Sequence, residues 1–67
     1  MKNEKILKVI QSLVDETLEK VGNDYALAIE EIENNNCKLL IEKVHSELKF
    51  VKTVDILESW DFYHYAE

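Results

Sequence analysis

Ile32-Glu33-Asn34-Asn35-Asn36-Cys37-Lys38 lies at the middle of a 67-residue chain, and its reading decides the fold. Asparagine is a poor helix former because its short polar side chain competes for nearby backbone groups, which favours turns and caps. Three in succession therefore end one helix, and another starts near Cys37. A rival reading carries one helix straight through. Tyr25, Ile29, Ile32, Asn36, Leu40, Val44, Leu48 and Val51 follow one another in steps of three and four. A single Asn in such a seam is a known register device in paired helices. The broken reading is preferred.

Outward from this run, the chain reads as helix on both sides. It has no proline and one glycine, and Leu, Ile, Glu and Lys abound. The first helix is expected over residues 3–21, where Ile6, Ile10, Leu13, Val14, Leu18 and Val21 make a wide amphipathic stripe. Asn3 suits its N-cap, and Gly22 suits the left-handed residue just past its end. Asn23 or Asp24 then caps a second helix over 24–34. A third is expected over 37–58, with Leu40, Ile41, Val44, Leu48, Val51 and Val54 at helical spacing. Within it, residues 49–56 are rich in β-branched side chains and could pair as a strand. No second strand is available, so helix is favoured. The fold expected is all-α: two or three amphipathic helices forming a helical hairpin, in one domain spanning residues 1–67.

So short a chain buries only about 60% of its unfolded surface. Below roughly 70–80 residues a domain usually needs a staple. One cysteine, Cys37, excludes an intrachain disulfide, and no Cys and His cluster has zinc spacing. Association with a second copy is the staple left, so the hairpin is expected to dimerise into a four-helix-like bundle.

The net charge is −6, carried without any arginine. Residues 23–36 and 54–67 hold the excess acid, while 37–53 are mildly basic. Nucleic-acid binding requires a basic patch, and none is present. A protein partner with a basic or apolar surface fits better. No run of 18 apolar residues exists, so no membrane span is expected. A lone cysteine and the lack of a secretory signal at the N-terminus make the cytoplasm the expected compartment.

Residues 60–67, Trp60-Asp61-Phe62-Tyr63-His64-Tyr65-Ala66-Glu67, hold four of the six aromatic side chains. An aromatic left in water forgoes about 1.5–3 kcal/mol of burial, so this tail should dock on the chain itself, on a second copy or on a partner. Trp and Tyr are frequent interface anchors. The expected partner-binding residues are therefore Trp60, Phe62, Tyr63 and Tyr65, with Asp61 and Glu58 as a charged rim. The function expected is a regulatory or inhibitory binding protein without catalysis.

The alternative is a metal-binding bundle, di-iron-like or zinc. Glu42-Lys43-Val44-His45 is a Glu-x-x-His, whose spacing puts both ligands on one helix face. Across a homodimer the motif would occur twice, with Glu16 or Glu19 completing the set. However, Glu42 and His45 fall at the edge of the apolar stripe, so an exposed acid–His contact is the simpler account. Asp61 and His64 repeat the spacing more weakly. Neither a cofactor nor an enzyme is expected. Cys37, Ser46 and the two histidines are the raw material considered for nucleophilic catalysis, no Gly-rich loop exists, and a core this small leaves little room for a substrate pocket of about 300–1,000 Å³.

Overall fold

The computed structural model describes residues 4–65, and the side chains of residues 4–64. Among them are three helices and no strand: α1 (Glu4–Lys20), α2 (Tyr25–Glu47) and α3 (Thr53–Tyr65). The all-α expectation holds. The proposed cap Asn3 lies outside the described residues.

α1 ends as its sequence requires. Gly22 takes φ 68°, and the Asn23 N–H donates to the Leu18 carbonyl at 2.8 Å, closing a Schellman turn. A Cβ at Gly22 would meet nothing within 4 Å, so glycine serves there for its backbone freedom alone. Asp24 caps α2, its carboxylate accepting from the Leu27 N–H at 3.2 Å. The buried face of α1 is Ile6, Val9, Ile10, Leu13, Val14 and Thr17. Thr17 is tolerated in that stripe because its hydroxyl donates to the Leu13 carbonyl at 2.8 Å.

The asparagine run breaks α2 into two helical halves. Asn34 is extended (φ −60°, ψ 142°), and Asn35, Asn36 and Cys37 all take left-handed angles, with φ of 55°, 59° and 65°. Left-handed backbone costs most L-residues roughly 1–2 kcal/mol each, and Asn tolerates it best. The run therefore does more than stop a helix: it reverses the chain. A straight 23-residue helix would be about 34 Å long and would carry Lys43 far from the end of α1. Instead Lys43 Nζ lies 3.5 Å from Glu16 Oε2. The second half of α2 thus runs back alongside α1.

A second break corrects the expected helix over 37–58. α2 ends at Glu47, and Leu48 is extended (φ −123°, ψ 130°). Phe50 takes φ 64°. His45 Nε2 donates to the Val51 carbonyl at 2.9 Å and tethers this linker. The Lys52 carbonyl then accepts from the Asp55 and Ile56 N–H groups and starts α3. The β-branched run noted at 49–56 marks this interruption, not a strand.

Four helical segments from one chain therefore surround one core. Ile6, Ile10, Val14, Ile32, Leu40, Val44 and Ile56 are buried to 1% exposure or less, and Trp60 to 2%. The radius of gyration is 11.2 Å, close to the roughly 11 Å expected of a compact chain this long. Within one copy, residues from all of these segments meet in that core.

Candidate interaction surface

The expected tail is not a tail. Trp60 to Tyr65 form the last turns of α3. Trp60 Nε1 donates to Glu33 Oε2 at 2.9 Å, and the ring stacks near Tyr63 and His64, with centroids 6.1 and 5.5 Å away. The Tyr63 hydroxyl donates to Gln11 Oε1 at 3.0 Å. His64 Nδ1 lies 3.5 Å from the same Glu33 oxygen that Trp60 uses. This cluster locks α3 onto α1 and onto the first half of α2. Trp60, expected as a partner-binding anchor, is thus buried in the core, and Tyr63, expected likewise, packs half-buried against it.

The outward face of α3 is different. At about 100° per residue, Leu57, Asp61, Val54, Glu58 and Phe62 share an arc of roughly 140°, opposite Ile56, Trp60 and Tyr63. Val54 is 55% exposed and Phe62 45%. Leu57, Asp55, Glu58 and Asp61 are exposed as well. Of the expected binding residues, Phe62, Asp61 and Glu58 therefore lie on one outer surface; the side chain of Tyr65 is outside the described residues. Sequence reasoning missed Val54 and Leu57 on this face. It also missed Phe50, which is wholly exposed (102%) at the entry to α3. Helical spacing places Phe50 with Val54 and Leu57 as a widening of the apolar stripe, so periodicity gives no sign that its ring stays in solvent.

The metal candidates stay at the surface. Glu42 lies 4.0 Å from Lys38, and His45 is exposed and committed through Nε2 to Val51. Glu16 is 3.5 Å from Lys43, whose other carboxylate partner, Glu47, is at 3.2 Å. The Glu47 hydrogen bond, aided by the Glu16 charge, raises the Lys43 pKa against a desolvation that lowers it. Among the described residues no group of three or more His, Cys, Asp or Glu side chains could hold a metal ion within one chain.

An open groove of about 350 Å³ runs between α1 and the two halves of α2. Leu13, Thr17 and Leu39 line it together with Glu16, Lys20 and Lys43. Its volume is at the lower edge of the range for ligand sites. Thr17 and Lys43 already spend their polar groups on Leu13 and on the two glutamates.

Cys37 closes the left-handed turn and packs on the core. Burial first, then the charges of Glu33 and Asp61, push its thiol pKa up. Only the thiolate is reactive, so Cys37 is expected to alkylate more slowly at pH 7–8 than a free cysteine in a denatured control. The rate should rise only at higher pH; equal rates in folded and unfolded protein would contradict this burial. Because the folded pKa is raised, the neutral thiol's contribution to stability is fully present below the unfolded pKa and is lost as pH climbs through the folded one.

No known family, curated protein or solved structure matches the chain. Among the described residues no helix is long and apolar enough to cross a membrane.

Proposed function

We propose that the protein is a small acidic interaction module that regulates or inhibits a protein partner by occupying its surface, without chemistry of its own. The observation that carries this reading is the outer face of α3. Val54, Leu57 and Phe62 stay exposed on a helix whose opposite side is fully docked through Ile56 and Trp60. Asp55, Glu58 and Asp61 interleave with them. Such a surface suits a partner with basic or apolar character, since desolvated aromatic and aliphatic anchors supply affinity and the acids supply steering. Self-association belongs to the same reading. The single cysteine suits a reducing compartment such as the cytoplasm.

The test is a paired substitution, Leu57→Asp with Phe62→Ser. Both residues are exposed, so thermal stability should change little. Affinity capture from the native host should lose a partner that the parent chain retains. Recovery of the same proteins at the same yield would exclude the α3 face as the binding surface.

A further inference from the structure

The segment leading into α3 and the later turns of its outer face differ in charge, with Asp55 between them. At its entry, Lys49 and Lys52 flank Phe50, and all three are exposed. Phe50 is the least expected residue there. A bulky aromatic rarely takes φ near 64°, and this one gains no burial in return, with its ring wholly in solvent. Strain held without a packing reward points to function. Toward the other end, Glu58 and Asp61 flank Phe62, with Leu57 between the two ends.

We propose that the occupant of this face is a second copy of the chain, docked antiparallel along α3 about a twofold axis near Leu57. This rests on the interaction reading above and names its partner. A twofold interface must be self-complementary, because the same patch meets itself. Antiparallel docking meets that condition: the basic, Phe50-bearing end of each copy lies over the acidic, Phe62-bearing end of the other. Val54 then opposes Asp61 and Phe62 of the second copy, and Leu57 meets its own equivalent at the axis. The run Lys49-Phe50-Val51-Lys52 is itself the basic apolar surface that the acidic end calls for. A parallel arrangement would set Asp55, Glu58 and Asp61 each against its own copy, whereas the antiparallel one brings only Asp55 near a like charge, Glu58 of the second copy, and is favoured by the smaller repulsion. An anionic membrane, the other surface suited to a Phe between lysines, is opposed by the three acids along α3 and by the net charge of −6.

Charge reversal with reciprocal rescue tests both the occupant and the orientation. Variant one carries Lys49→Glu and Lys52→Glu; variant two carries Glu58→Lys and Asp61→Lys. Light scattering and sedimentation should give the parent chain about twice its 7.9 kDa mass. Each variant alone should be monomeric, because both ends then carry one sign. Mixed in equal amounts, the two should restore the dimer, since every basic end again faces an acidic one. Circular dichroism of each variant confirms that the helices remain. A parent chain that stays monomeric up to about 1 mM overturns the proposal. So does a mixture that remains monomeric, or a variant that dimerises alone as the parent does. In those cases loss of partner capture by Leu57→Asp with Phe62→Ser would still uphold the wider reading of the face. Unchanged capture would sink that reading separately.

Discussion

Trp60→Ala should cost about 3–5 kcal/mol, the range for truncating a buried aromatic, and leave the chain largely unfolded at 25 °C. The reason is a match of magnitudes. A domain of this size holds only about 3–5 kcal/mol of net stability, so one anchor can decide the balance. Trp60 is 2% exposed, its indole N–H is satisfied by Glu33 at 2.9 Å, and it brings α3 against the core beside Ile56. Trp60→Phe separates the two contributions. It keeps most of the apolar area but loses the indole hydrogen bond to Glu33, an exposed carboxylate that water can resolvate, at about 0.5–1.5 kcal/mol. Phe62→Ala, two residues on and 45% exposed, should change stability by less than about 1 kcal/mol. Urea denaturation followed by circular dichroism measures all three. Equal losses for Trp60→Ala and Phe62→Ala would show that α3 does not dock through the face described.

The double substitution Asn35→Ala, Asn36→Ala is expected to have the next largest effect, about 2 kcal/mol in total. Each position has φ near 55–59°, where an alanine Cβ is strained by roughly 1–2 kcal/mol and asparagine by less. Alanine also favours continuing the helix, so the mutant trades the reversal for a straighter α2. Straightening would draw Lys43 away from Glu16 and uncover Leu40 and Val44. The melting temperature should fall by roughly 4–8 °C for each kcal/mol in a domain this small. Helix content in the folded baseline should not fall. Glycine at the same two positions is the control, because it accepts positive φ freely. If the glycine and alanine pairs melted alike, the left-handed turn would not be the cause.

Much of the helical architecture was legible in the residues. The absence of proline, the single glycine, the α1 stripe and the Gly22–Asp24 turn each carry a local cause. The limits appear at three places. The break at Leu48–Lys52 was obscured because Leu48, Val51 and Val54 keep helical spacing through it. Leu48 and Val51 do pack on the core, but Val54 falls outside it, so the shared spacing reflects neither one buried face nor a continuous backbone. The asparagine run announced an interruption but not its handedness, which three left-handed residues convert from a stop into a reversal. In α3 the apolar residues go nearly all round, so periodicity could not separate Trp60 from Phe62.

The sequence by itself thus determined that the chain is helical, where α1 ends and how α2 begins, since these follow from propensity, caps and one stripe. Only the tertiary structure decided that the second half of α2 returns along α1, and that Trp60 and Tyr63 serve the core. It alone placed Phe50, Val54, Leu57 and Phe62 outside. The physical reason is that capping and propensity act over a few residues, whereas a reversal and a choice of buried face are fixed by contacts distant in sequence, such as Glu16 with Lys43 and Glu33 with Trp60.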